Sequence, residues 1–510
     1  MEENHYARLG IPLDASPEEV QHAYRAAARR LHPDTNADPG ETELFLKVQE
    51  SYEILSNPER RREYDAILPP NFNTPPPVAI SAQYSRTTLQ KTTEPQLVYT
   101  LIDLIAQPEA DMNPSPPLNI CLVLDCSTSM QGEAMDTVKS TAIELVRQLR
   151  PQDTLSLVTF GDRAEVLIPA GSRYELRKAE TIIRMLQTGG GTEIFKGLEA
   201  GFNEVHRLLR KDYVNHIIIL TDGRTYGDEA DCIHVAEQAA NYGIGISALG
   251  IGDKWNDAFL DSLVSITGGS SIYVAKPDEI RQFLKEKFKG LVKNYADRAT
   301  YTFDLGAGVE LRSTYRLQPD AAQLERESPI RMGSVPKSGG LSILLEFFVT
   351  SIPISLERAP LASGLLTLDI PVRPNPTFST RLKLDLPTSS EPDYGSPPIA
   401  IMQAMSRITL YRMQEKVQQD LATGHFAEAT QRMQNLATHL IAQGERELAN
   451  AVLEEANHLQ QYQKVSEEGK KRIKYGTRDL ILPRHLQSST LQGLSGIELF
   501  ENNEGKGAGP

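Results

Sequence analysis

The sequence predicts a multidomain chain: an all-α module, an α/β doubly wound Rossmann-like domain flanked by an antiparallel β-sandwich region, and a C-terminal helical bundle. Three observations predict it. Between 119 and 297, short apolar runs alternate with segments of helical period, the pattern of a mostly parallel sheet covered on both faces. On either side, segments rich in Thr, Tyr, Val, Leu and Ile lie between Pro and Gly turns, as antiparallel strands do. Residues 1–68 and 394–475 instead carry apolar side chains at helical spacing. A length of 510 residues is enough for several cores.

Composition narrows the function classes. A net charge of −14 argues against a broad nucleic-acid or anionic-membrane surface. The three cysteines, Cys121, Cys126 and Cys232, fit a reducing compartment without a disulfide framework. The start, Met-Glu-Glu-Asn-His, has no apolar core of a signal peptide, and no run reaches the ~20 apolar residues of a membrane span. The expected location is the cytoplasm.

In the N-terminal module, 1–68, Ser16 and Glu19 form a capping box around Pro17 at the first helical position. The helix they open carries Val20, Ala23, Ala27 and Leu31 on one face, so Arg25, Arg29 and Arg30 are expected on the exposed side. Proline at 33 disfavours helix at His32 and ends it. A second helix spaces Phe45, Val48, Tyr52 and Leu55, and Asn57-Pro58 breaks it before a short charged helix, 59–65. Two antiparallel helices bury the stripes against each other.

These features resemble the J-domain of DnaJ-type co-chaperones: Tyr6-Ala7-Arg8-Leu9-Gly10, Tyr24-Arg25, Leu31-His32-Pro33-Asp34, Tyr52-Glu53-Ile54-Leu55-Ser56 and Arg61-Arg62-Glu63-Tyr64-Asp65. The resemblance implies a module that binds a DnaK-type chaperone and stimulates its ATP hydrolysis. It assigns the contact to His32, Pro33, Asp34, Arg25, Arg29 and Arg30. No Gly/Phe-rich region and no cysteine-rich zinc module follow, which leaves client handling to the other domains.

A Pro-rich linker is expected at 69–81 and lead-in strands at 82–118, within 83–91 and 96–105. In the α/β domain, 119–297, strands are expected at 119–124, 154–160, 216–221, 244–251 and 271–275. Helices are expected at 133–149, 174–187, 193–210, 229–242, 256–266 and 277–294.

The chemistry gathers at strand ends. Asp125 closes the first apolar run, and Ser127 and Ser129 follow at alternate positions. Gly189-Gly190-Gly191 leads into Thr192, and Asp222 stands just past the most apolar strand, in Thr221-Asp222-Gly223. The carboxyl ends of strands are where open α/β sheets place ligands. Asp125, Ser127, Ser129, Thr192 and Asp222 offer only oxygen, which suits a hard cation such as Mg²⁺ and leaves a position for water or an external carboxylate.

With Asp-x-Ser-x-Ser, a Gly-rich loop with Thr, and Thr-Asp-Gly in order, this region resembles a von Willebrand factor A (VWA) domain with its metal-ion-dependent adhesion site. The resemblance implies Mg²⁺ (or Mn²⁺) at those five residues and a protein partner whose carboxylate completes the shell. Thr128 departs from the family pattern, where glycine is common. Enzymatic readings find less support. The glycines at 189–191 lack the Gly-Lys-Ser/Thr of a P-loop, Cys126 has no positioned histidine, and no general base can be named. No catalytic residue is therefore assigned.

The second β region, 298–390, is expected to hold strands at 301–305, 309–311, 341–349, 365–372 and 380–386, pairing with the lead-in strands to form a sandwich into which the α/β domain is inserted. It reads as a support. Similar flanking occurs in some bacterial proteins of the family, which suggests a bacterial origin. From 394 to 475, a helix at 399–421 and two similar runs after Gly424 and Gly444 suggest stacked helical hairpins. The basic run Lys470-Lys471-Arg472-Ile473-Lys474 reads as a solvated helix end, and 476–510 as a partly disordered tail.

The combined expectation is a non-enzymatic adaptor that brings a DnaK-type chaperone to a partner held through the VWA site. The rivals are an adhesion or assembly scaffold whose J-domain only docks, and a metal-dependent hydrolase.

Overall fold

The computed structural model describes residues 5–9, 11, 15, 17–31, 39–67, 77–107, 115–171, 176–223, 227–350, 352, 356–373 and 376–481. They fall into two compact units, Met1–Pro77 and Val78–Pro510.

The first unit is four helices: α1 (His5–Leu9), α2 (Pro17–Leu31), α3 (Pro39–Leu55) and α4 (Pro58–Ile67). Tyr6, Leu9, Val20, Val48 and Leu55 form its core. Tyr24 and Tyr52 stack at 4.2 Å between ring centroids, so the two stripes expected from sequence meet. Asn57 caps α4, its side-chain oxygen accepting from the Glu59 amide at 2.9 Å, and Pro58 takes the first helical position. Ser16, the Glu19 side chain and therefore the expected capping box lie outside the described residues.

In the second unit the first strand, β1 (Val78–Tyr84), begins inside the segment expected as linker, because Val78 is fully buried in the sandwich core. β2 (Leu89–Gln90) and β3 (Gln96–Ala106) complete the lead-in. The α/β domain follows with β4 (Leu118–Asp125), α5 (Glu133–Gln148), β5 (Thr154–Phe160), β6 (Ala164–Ile168), α6 (Leu176–Arg184) and α7 (Ile194–Arg207). It continues through β7 (Val214–Thr221), α8 (Glu229–Tyr242), β8 (Gly245–Ile251), α9 (Asp257–Ser265), β9 (Ser271–Val274) and α10 (Pro277–Lys293). The sheet order is β6-β5-β4-β7-β8-β9, parallel except for the edge strand β6.

The alternation of β4 divides its side chains between two layers. Ile120, Leu122 and Leu124 pack with Met135 and Val138 of α5 and Phe283 and Leu284 of α10. Cys121 and Val123 face Leu198 of α7 and Val235 of α8. Each such large apolar side chain taken out of water contributes roughly 1.5–3 kcal/mol.

The chain then returns to β structure with β10 (Asn294–Leu305), β11 (Val309–Gln318), β12 (Ala322–Leu324), β13 (Ile330–Pro336), β14 (Leu341–Val349), β15 (Arg358–Asp369) and β16 (Thr377–Ser389). Two five-stranded sheets result, β1-β3-β14-β11-β12 and β13-β10-β15-β16-β2. β14 pairs antiparallel with β3, so the lead-in strand and the later region share one sheet around the inserted domain. Arg316 ties the two together from a buried position, donating to the carbonyls of Gly268 (2.6 Å) and Gly269 (2.9 Å).

Four helices end the described chain: α11 (Ile399–Ala422), α12 (Phe426–Gln443), α13 (Arg446–Tyr462) and α14 (Glu467–Asp479). Gly424 and Gly444 follow α11 and α12 with φ of 78° and 91°, where a side chain would strain the turn. α11 lies between two partners. Ile401, Ile408 and Tyr411 pack on Leu101 and Leu344 of the sandwich, and Leu410 and Val417 enter the bundle core. Two expectations are corrected here. The last helix runs to Asp479, beyond the expected boundary at 475, and its basic run is not a solvated end: Lys471 is 2% exposed and lies against the α/β domain.

Candidate functional site

The site forms where the strand order reverses, at the carboxyl ends of β4 and β7. Both strands are buried along their whole length, which fixes their ends. Asp125, the last residue of β4, is fully buried. Its Oδ1 accepts from the Ser127 amide at 2.8 Å and its Oδ2 from the Thr221 hydroxyl, at the end of β7, at 2.6 Å. One carboxylate thus joins the two strand ends. Residues 128–130 form a single 3₁₀ turn that aims both serine hydroxyls at the β7 loop. Ser127 Oγ and Ser129 Oγ lie 3.1 Å apart, and Ser129 Oγ donates to Asp222 Oδ1 at 2.7 Å.

The glycine loop supplies the third part. Gly190 has φ 83°, and a Cβ there would meet Asp162 Oδ2 at 2.6 Å, so glycine is required. Asp162 Oδ1 in turn accepts from the Gly191 amide at 2.6 Å. The Thr128 hydroxyl donates to the Gly190 carbonyl at 3.2 Å, so the residue that departs from the family pattern pins the serine loop to the glycine loop. Thr192 packs on the β7 loop, where a Cβ at Gly223 would stand 2.7 Å from its Oγ1. All five residues singled out in the sequence therefore converge.

Ser129, Thr192, Asp222 and Gly223 open into a pocket of about 340 Å³ that Asp253, Lys254 and Glu467 complete. Burial pushes the Asp125 carboxyl above the usual range, against the hydrogen bonds from Thr221 and Ser127. Burial raises Asp222 too, opposed by the Ser129 hydroxyl and the nearby Lys254 cation. Two carboxylates with incompletely compensated charge, beside three hydroxyls, are donor types that fit a hard divalent cation.

Cys126 is buried, and burial raises its thiol to about 11, which leaves it a poor nucleophile. Thr221, Asp162, Asp253, Lys254 and Glu467 had not been singled out. Thr221 was legible within Thr-Asp-Gly as the hydroxyl next to the carboxylate. Glu467 lies far along the chain, with no local signal.

In the first unit Arg25 is exposed on α2, as expected. His32, Pro33, Asp34 and the side chains of Arg29 and Arg30 lie outside the described residues.

The family model for the von Willebrand factor type A domain matches residues 119–286. The α/β domain is a VWA domain. The DnaJ domain model matches 4–65, and the Sll0103-like C-terminal alpha-helical domain model matches 399–483. The first unit is accordingly a J-domain and the four terminal helices a domain of their own. An uncharacterized protein, sll0103, from Synechocystis is 36% identical over 177 residues, 34% of this chain and 41% of that protein. The chaperone protein DnaJ of Trichormus variabilis is 45% identical over 69 residues, 14% of this chain and 18% of that protein. The chain thus spans less than half the length of either relative.

Among solved structures, a von Willebrand factor type A protein from Catenulispora acidiphila superposes with a TM-score of 0.63 at 14% identity, covering 79% of this chain and 97% of that one. The ArnB paralog VWA2 from Sulfolobus acidocaldarius gives 0.50 at 16% identity, covering 80% and 99%. Both likenesses are of fold. Their extent shows that the VWA domain and the elements around it recur together. Among the described residues no helix is long and apolar enough to cross a membrane.

Proposed function

We propose that the chain is a non-enzymatic co-chaperone adaptor: its J-domain recruits a DnaK-type chaperone and stimulates its ATPase, and its VWA domain holds a protein partner through a divalent cation, Mg²⁺ or Mn²⁺. The observation that carries the reading is the convergence of Ser129, Thr192 and Asp222 at one pocket, with Asp125 and Ser127 buried beside them, on a chain that also carries a J-domain. A bound cation would supply an open coordination position for an acidic side chain of the partner. The protein's own part is to place the oxygens. Thr221 and the Ser127 amide orient Asp125, and Ser129 orients Asp222. Three free, buried cysteines accord with a cytoplasmic setting.

Two tests separate the halves. The 510-residue chain added to a DnaK-type chaperone should raise ATP turnover, and His32→Gln should abolish the rise; no rise with the wild type would sink the co-chaperone half. Calorimetry with Mg²⁺ and Mn²⁺ should show binding that Asp125→Ala removes. Binding unchanged by that substitution would refute the cation site.

A further inference from the structure

The pocket over the site is closed on one side by a residue from another domain. Glu467 opens α14 and shares the pocket with Ser129, Thr192 and Asp222. α14 is held in place there. Lys471, one turn further on, donates to the backbone carbonyls of Asp253 and, at 2.7 Å, Trp255, and its ammonium lies 4.8 Å from the Trp255 ring centroid. Lys474 pairs with Asp257 (2.5 Å) and Asp261 (2.7 Å). Arg478 pairs with Asp261 at 3.0 Å. Tyr475 lies in the VWA core layer with Trp255.

Positions 467, 471, 474, 475 and 478 share one helix face. The loop this face grips carries Asp253 and Lys254, which themselves line the pocket. Glu467 is therefore delivered to the site by an anchored helix. Its pairing with Lys470 (2.7 Å) is half-exposed, and surface pairs of this kind are weak enough to exchange.

We propose that Glu467 is an internal carboxylate ligand of the VWA site. In cation-loaded protein it takes the position otherwise open to water or to a partner's acidic side chain, and a partner binds by displacing it. The inference rests on the cation reading above. It makes partner binding compete with the seating of α14, so the C-terminal domain sets the threshold for capture.

The probe is Mn²⁺ alone, titrated into the full chain. By calorimetry, Glu467→Gln should bind Mn²⁺ about tenfold more weakly than wild type. By water-proton relaxation, it should gain about one rapidly exchanging water on the ion, as the lost oxygen is replaced. Unchanged affinity and water number, with binding still lost in Asp125→Ala, would overturn the proposal and leave the cation reading standing. Weaker affinity with an unchanged water number would make Glu467 a source of negative potential only, which also overturns it. Wild-type protein that binds no Mn²⁺ would remove both.

Discussion

Two basic helical stretches, one on α2 and one on α14, look alike in composition, and their described side chains end in opposite environments. Arg25 on α2 is exposed to solvent. On α14, Lys471 and Arg478 are 2% and 6% exposed, and both meet the VWA domain. What differs is the set of acceptors opposite. α14 faces Asp257, Asp261 and the backbone carbonyls of Asp253, Trp255 and Ser271. The Arg478–Asp261 pair spans 217 residues of sequence. A cationic side chain on a helix thus either stays in solvent or joins an internal clasp according to distant residues, and composition alone cannot separate the two.

The sharpest way to break this contrast is Arg478→Ala. Removing Arg478 leaves Asp261 with Lys474 as its remaining cation, and the cost should be about 3 kcal/mol, the low end for a broken buried pair, read from urea unfolding of the full chain. A loss below about 0.5 kcal/mol would reduce the clasp to a surface contact. Acid should act on the same group. Burial alone would push Asp261 up, but Arg478 and Lys474 outweigh it and hold the carboxyl below its usual range. A depressed carboxylate stabilises the fold above its unfolded pKa and loses that contribution as pH falls through the folded value. The clasp should therefore weaken only below about pH 4. In Arg478→Ala this acid limb should shrink.

Lys471→Met is the gentler break. It keeps the aliphatic stem against Trp255 but leaves the Asp253 and Trp255 carbonyls without their donor, at roughly 1–3 kcal/mol by thermal unfolding. A loss as large as that of Arg478→Ala would place the clasp's main anchor at Lys471 instead.

The same distinction between local and distant determinants governs what the sequence could reveal. Thr154–Phe160 and Glu229–Tyr242 have the bounds expected of them, because an all-buried apolar run and a capped helical period are local properties. β6 was not anticipated. It is an edge strand whose Glu165 and Val166 are exposed, so it shows neither alternation nor a continuous apolar run. β12 has only three residues, and β13 carries Gly333 and ends at Pro336, so neither looks like a strand in isolation. The site's oxygen donors were legible because strand ends position them. Glu467 and the α14 clasp were not, since helix packing between domains decides where they point.

The smallest stability effect belongs to Arg25→Ala, and it tests the other half of the contrast. An exposed side chain on a helix already held by Val20, Tyr24, Val48 and Tyr52 should cost less than about 0.5 kcal/mol on removal. Its proposed work is on a partner. The same variant should therefore stimulate a DnaK-type chaperone's ATPase about tenfold less at subsaturating concentration, the change expected when a charge of roughly 1.4 kcal/mol is removed from an interface. Added salt should lower wild-type stimulation toward the variant's, since an exposed charge acts through solvent. Full stimulation with Arg25 removed would make α2's basic side merely solvated, the role that sequence alone had suggested for α14. Loss of stability in place of stimulation would instead show that α2, like α14, spends its cations inside the fold.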